Sequence, residues 1–328
     1  MHLSTDSVKN ILGQYRACSA SYSASGLTLY DHLPMGVSAL AAMGASAERV
    51  DAWAKAYAEK HALGAADTTE RELRRQWSTR FANDGRENVL RSHLGRLMNG
   101  VGAAAFHPAI RTAYALERDD DEDLIAALAS WDHEYLEILP DRDAKIVSLD
   151  DALAHIENST ITVQHRGLIS TRMQLVREHP DFSKIAKHIP SANDFAELNV
   201  ASAAAFAHSG SFTALHVMTG THAVGILAPY IDDFDAAMKS FWCAFAAAIL
   251  VAGTTRRLST ALLDSIRREP TPDWGAMLAA ATSADDEHII KATYTAWRLD
   301  ARYKDSIFRV AAYRYMRPNS AFAPEYSI

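Results

Sequence analysis

Phe212-Thr213-Ala214-Leu215-His216-Val217-Met218-Thr219-Gly220-Thr221-His222-Ala223-Val224-Gly225-Ile226-Leu227-Ala228-Pro229-Tyr230 is an apolar, helix-forming run that carries two histidines. A run of this kind belongs in a core. An imidazole held there must hydrogen-bond, stay neutral or bind something, because an unpaired buried polar group costs roughly 1–3 kcal/mol. Working outward, three more histidines stand in comparable surroundings: His32 in Tyr30-Asp31-His32-Leu33-Pro34-Met35, His107 in Ala105-Phe106-His107-Pro108-Ala109-Ile110, and His288 in Asp285-Asp286-Glu287-His288-Ile289-Ile290-Lys291. Four histidines from four separate segments read as an assembled site.

The pattern around these segments is helical almost throughout. Alanine, the best helix former and small enough for close helix approach, dominates the apolar positions. Helices are expected over about 5–23, 33–43, 46–61 and 87–98, after Gly102 through His107 to Leu116, from the acidic block Asp119–Asp123 to about Leu136, and from Ser148 onward, with a charged surface helix or excursion from Thr68 to Trp77. Further helices fill 165–178, 194–208, 212–230, 234–252, 258–268, 273–281, 285–300 and 304–316, followed by an irregular tail from Pro318. Extended structure is confined to a short piece at Lys145 to Val147 and to Thr160–Val163, a β-branched run too short to carry a sheet. No repeat or low-complexity linker divides the chain. The simplest reading is one all-α domain over residues 1–328, two-lobed around a central cavity.

A chain of 328 residues buries enough surface to enclose such a cavity. The net charge of −7 and the scattered basic pairs Arg74-Arg75, Arg256-Arg257 and Arg267-Arg268 argue against a nucleic-acid partner. Cys18 and Cys243 lie far apart, and Cys243 falls in the apolar block Phe241 to Ala252, so a reducing, cytoplasmic setting is expected. That block is shorter than the roughly twenty residues a bilayer requires. It reads as a core helix, and neither a membrane association nor a signal peptide is expected.

Gly100-Val101-Gly102-Ala103-Ala104-Ala105 matches a dinucleotide fingerprint in letters only, since Ser92 to Asn99 before it reads as helix rather than strand. The glycines are expected to let two helices pack closely. Gly-x-Ser-x-Gly and His-Glu-x-x-His are both absent from the sequence, so a metal site must be collected from distant helices. His288 and Lys291, three apart, share one helix face, and Asp285 a turn earlier is a candidate acceptor that orients His288. From spacing alone the plainer reading, a capped helix start with an exposed lysine, is favoured. His216 and His222, six apart, cannot both reach one metal from an unbroken helix, though Gly220 offers a break. His216 is the better ligand, and His222 is a candidate substrate contact or a hydrogen-bonded core residue. His32 and His107 precede helices, where a plain helix-terminal hydrogen bond is the competing role. His2, His61, His133, His155, His179 and His188 read as surface residues, and His93, His165 and His208 carry no clear signal.

Taken in order, Asp31 to Met35, Phe106 to Ala115, Leu215 to Ala223 and Asp286 to Lys291 resemble the questin oxidase-like family, from about residue 30 to about 310. The resemblance implies oxidative opening of an anthraquinone-like aromatic polyketide by Baeyer–Villiger-like oxygen insertion. It further implies a non-haem Fe(II) held by His32, His107, His216 and His288, with Lys291 as its carbamate. Pro108 stands where the family pattern has glycine. Imidazoles suit Fe(II), and a carbamate supplies the negative charge that four neutral histidines lack. Phe106, Tyr114, Phe212, Tyr230 and Trp242 are candidates to line a flat pocket. The expected partners are a small aromatic substrate and O2, with a homodimer left open. Three other readings fit the same residues: a metal-free, NADPH-dependent monooxygenase of the same family, a non-catalytic helical protein that binds an aromatic ligand, and a zinc hydrolase.

Overall fold

Helices start where short oxygen-bearing side chains stand ready to accept the first free backbone N–H groups. Ser46 accepts from Arg49 N, Asp67 from Glu70 N, Asp120 from Asp123 N, Asp233 from Ala236 N and Asp273 from Ala276 N. The computed structural model describes residues 3–163, 165–254 and 258–317. The Arg256-Arg257 pair, His2 and the tail from Pro318 lie outside them.

The chain opens with α1 (Thr5–Gly13), the hairpin strands β1 (Ser21–Ala24) and β2 (Leu27–Tyr30), α2 (Leu33–Ala42) and α3 (Ala47–Lys60). There follow α4 (Thr68–Asp84), α5 (Arg86–Met98), α6 (His107–Glu117), α7 (Asp121–His133), β3 (Lys145–Val147), α8 (Leu149–Glu157), α9 (Ile169–Glu178), α10 (Phe182–Ala186) and β4 (His188–Pro190). The remainder is helical: α11 (Phe195–Ser209), α12 (Phe212–Leu227), α13 (Phe234–Ala252), α14 (Thr260–Arg267), α15 (Trp274–Ser283), α16 (Glu287–Tyr303) and α17 (Ser306–Met316). The described residues are thus all-α in class, with two small two-stranded sheets.

α12 is the axis. It is buried on every side and packs against α6, α11, α13 and α16, as an apolar helix without a polar face must. α13 is also apolar enough by length and composition to cross a membrane, and most of it is buried in the core. Its neighbours α5, α9 and α12 cover it.

Two departures from the sequence reading bear on the site. The first helix ends at Gly13, and Ser21–Tyr30, expected as the end of a long helix and a loop, forms a β-hairpin. Ser25 and Gly26 at its tip both adopt positive φ, the geometry of a tight hairpin turn. The buried carboxylate of Glu70 anchors its base by accepting from Ala20 N at 2.9 Å and Ser19 Oγ at 2.8 Å. The second departure lies at 102–106, expected as the start of an alanine-rich helix. Ala104, Ala105 and Phe106 instead make a left-handed turn, and α6 begins only at His107. Elsewhere β3 forms as expected and pairs in parallel with β4, whereas Thr160–Val163 forms no strand.

Candidate metal centre

α2, α6, α12 and α16 each bring one histidine to a common point. His32 Nε2 and His107 Nε2 stand 2.7 Å apart although 75 residues separate them in sequence. One nitrogen from each of His32, His107 and His216 lies within 4.8 Å of the others, and His32, Glu287 and His288 form a second set within the same limit. Ring centroids of His107 and His216 are 4.7 Å apart, and those of His32 and His288 4.9 Å.

The outer nitrogens of two of these rings are hydrogen-bonded back, and that of a third faces two carboxylates. His107 Nδ1–H donates to Ala104 O, and His216 Nδ1–H donates to Phe212 O at 2.8 Å. His288 Nδ1 lies 3.4 Å from Asp286 Oδ1 and 3.6 Å from Glu287 Oε1. Partners of this kind set the tautomer and leave Nε2 to point its lone pair inward. His216 Nε2, His288 Nε2, His32 Nδ1 and Lys291 Nζ then have no hydrogen-bond partner although they are buried.

Lys291 lies one turn beyond His288 and is wholly buried. Burial pulls its amine down to about 7, against the opposing carboxylates of Glu287 and Asp286. Burial also holds His32, His107 and His216 well below the ordinary histidine range, and a charged Lys291 would push each further the same way. These imidazoles are therefore neutral at physiological pH, the form that ligates metals. Several unpartnered nitrogens in one buried spot fit a divalent cation: imidazole suits iron, zinc, copper or nickel, and an ion removes the unsatisfied groups together.

The histidines floor a cavity of about 1000 Å³. Tyr22 and Tyr30 from the hairpin, Trp53 and Tyr57 from α3, Phe212 and Tyr315 supply its aromatic walls. Trp53, Tyr57 and His61, at intervals of four, run along α3 toward its end, and the His61 ring sits 4.5 Å from Tyr22 and 4.4 Å from Tyr57. Its Nε2 is buried without a partner.

The structure revises several sequence expectations. His222 is buried on a different face of α12 from His216, near Tyr294, and does not line the cavity; the helix is unbroken at Gly220, and six residues carry the side chain about 120° around the axis. Asp285 does not orient His288. Its carboxylate is exposed and pairs with Arg49 at 3.1 Å, while Asp286 caps α16 and meets the imidazole. Lys291 is not exposed, because α16 turns that face into the core. Among the aromatics proposed for the pocket, Phe212 lines it; Phe106, Tyr114 and Trp242 are packed in the interior, and Tyr230 lies elsewhere. His61, read as a surface residue, and Glu287 both line the cavity. The i, i+4, i+8 spacing of Trp53, Tyr57 and His61 was the available signal for His61; Glu287 carried none apart from its neighbour His288. Gly100 is a packing glycine, but against the ring of Tyr135 beyond the end of α7 rather than between two helices; a Cβ there would stand 2.3 Å from that ring.

The family model described as questin oxidase-like matches residues 61–296, well over half of the chain. The chain belongs to the questin oxidase-like family. The matched span contains His107, His216, His288 and Lys291, whereas His32 precedes it. A search of curated proteins returns no match. Membership implies an oxidoreductase and points to an oxygenase that acts on aromatic polyketides.

Proposed function

We propose that this protein is a non-haem iron, O2-dependent oxygenase that oxidises or opens the ring of an anthraquinone-like polyketide in a Baeyer–Villiger-like reaction. The observation that carries the proposal is the convergence of His32, His107, His216 and His288 on the floor of an aromatic cavity, with unpartnered buried nitrogens on His32, His216 and His288. Bound Fe(II) supplies a site where O2 is activated beside the substrate. His107, His216 and His288 would hold it through Nε2, with His32 as the fourth ligand.

The protein's own groups bind and orient the substrate. Trp53, Tyr57 and Tyr22 offer flat faces against which a fused ring stacks, and His61 Nε2 accepts the hydrogen bond of a phenolic hydroxyl. Burial holds His61 below its ordinary value, so that nitrogen is free to accept. The aromatic walls also keep water from the reacting carbon.

Lys291 suits the role of a modified residue. Its amine loses a proton near neutrality, and the free nitrogen adds to the carbon of CO2 with release of one proton. The carbamate so formed carries an anionic oxygen that offsets the charge of a divalent ion. Glu287, whose carboxylate already lies beside His32 and His288, is the alternative source of that charge.

The test is elemental analysis of anaerobically purified protein together with O2 uptake on a hydroxyanthraquinone. Near-stoichiometric iron in the wild type, lost with O2 uptake in a folded His216→Ala variant, is the expected result. Wild-type protein that takes up no iron on reconstitution, or full O2 uptake in His216→Ala, overturns it.

A further inference from the structure

Three consecutive residues with side chains, Ala104 (φ 41°), Ala105 (φ 57°) and Phe106 (φ 69°), occupy the left-handed region immediately before His107. L-residues with a Cβ rarely do this once, and almost never three times running. Glycine, which adopts the conformation freely, stands at Gly100 and Gly102 but at none of these positions.

The turn has two attachments. Ala104 O, which in a helix extended backward from α6 would face residue 108, finds Pro108 there with no N–H to give. It accepts from His107 Nδ1–H instead. At its other end Phe106 is fully buried, its ring 6.2 Å from that of Phe241 and pressed onto α12 at Gly220. A Cβ on Gly220 would stand 2.8 Å from Phe106 Cγ and 2.9 Å from Phe106 Cβ. Gly220 lies one turn beyond His216, so the contact that seats Phe106 also sets His107 against His216.

We propose that the turn Ala104–Phe106, seated on Gly220, is a positioning device for His107. Its backbone carbonyl selects the Nδ1–H tautomer, and the Phe106 seat aims Nε2 at the cluster. The two alanine Cβ atoms narrow the backbone to one small basin, so the ring is held in place before any ligand arrives, at the expense of stability. The inference rests on the reading of His107 as a metal ligand.

The test uses the full chain with Co(II) alone as probe, by competition against a chromophoric chelator, and imidazole ¹⁵N–¹H spectra of the metal-free protein. Gly220→Ala is expected to weaken Co(II) binding at least tenfold, in line with the roughly 10–100-fold effect of groups that orient metal ligands. The same variant is expected to lose the single Nδ1–H tautomer of His107 while that of His216 persists. The double variant Ala104→Gly, Ala105→Gly decides the matter even if Gly220→Ala does not fold. It is expected to melt about 2–4 °C higher as strain is relieved, yet to bind Co(II) more weakly and to show His107 as a mixture of tautomers. Wild-type Co(II) affinity with an unchanged His107 tautomer, in either variant, overturns the proposal. Failure of wild-type protein to bind Co(II) counts against the metal centre instead, and the spectra of the metal-free protein still test the turn.

Discussion

Replacing Lys291 by methionine should stabilise the metal-free protein. The amine is wholly buried and its nitrogen has no partner, so the folded state disfavours the charged form. Its pKa falls from 10.5 to about 7 on folding. At about 1.36 kcal/mol per unit, that drop corresponds to roughly 5 kcal/mol of destabilisation when the unfolded chain carries the proton. The sign follows from the lowered folded value: the unfolded lysine holds its proton more tightly, so stability rises with pH between about 7 and 10.5 and is flat below. Methionine keeps an unbranched stem of similar volume and removes the amine. Urea unfolding of metal-free wild type and Lys291→Met should therefore show the variant more stable by about 4–5 kcal/mol at pH 7, with the gap closing toward pH 10.5. Comparison of the two proteins cancels the titrating groups remote from Lys291, and the neighbouring histidines stay neutral over the pH range in which the gap closes. The same variant should lose iron, because no donor remains at that position. Equal stability at pH 7, or a gap that does not change with pH, would refute the reasoning that the site keeps a costly amine for its chemistry.

The remaining predictions concern residues whose roles the structure separates. Asp286→Ala should cost about 1 kcal/mol through loss of the α16 cap and weaken iron binding, whereas Asp285→Ala should leave both nearly unchanged in thermal melts and metal analysis. Burial holds His222 down to about 3, so its contribution to stability is intact above the unfolded value near 6.5 and falls away between 6.5 and 3, by up to roughly 5 kcal/mol. His222→Leu should flatten that acid limb in denaturation curves and keep wild-type iron content; loss of iron would return His222 to the site. Asp123→Asn should destabilise the fold by about 3–5 kcal/mol in urea titrations, since Arg111 and Arg118, both buried, share that carboxylate at 2.7 and 2.6 Å.

Several features were legible in the residues themselves. The helical class follows from a 3.6-residue apolar period and from alanine, both local properties. Most helix starts were marked by Ser or Asp because an N-cap acts over three residues. The four histidine segments stood out because an imidazole in apolar surroundings is anomalous wherever it occurs. Short-range ambiguity accounts for several misreadings. Ser21–Tyr30 alternates over too few residues to stand apart from a helix, and the acceptor for His288 is Asp286 rather than Asp285 because the capping residue bends back over the first turn.

Residue identities alone thus specify an all-α chain, a set of histidines on four segments, and a buried apolar helix to carry one of them. Which atoms meet depends on long-range packing. His32 and His107 touch across 75 residues, Lys291 turns inward while Asp285 turns out, and His222 faces away from the cluster. The left-handed turn before His107 contradicts the local preference of Ala-Ala-Phe, and it occurs where Phe106 packs on Gly220 of a distant helix. Left-handed backbone costs roughly 1–2 kcal/mol per residue, so the three residues together cost more than the roughly 1.5–3 kcal/mol that burial of the phenylalanine returns, and the packing of the surrounding helices supplies the rest. Where the two conflict, packing between helices far apart in the chain prevails.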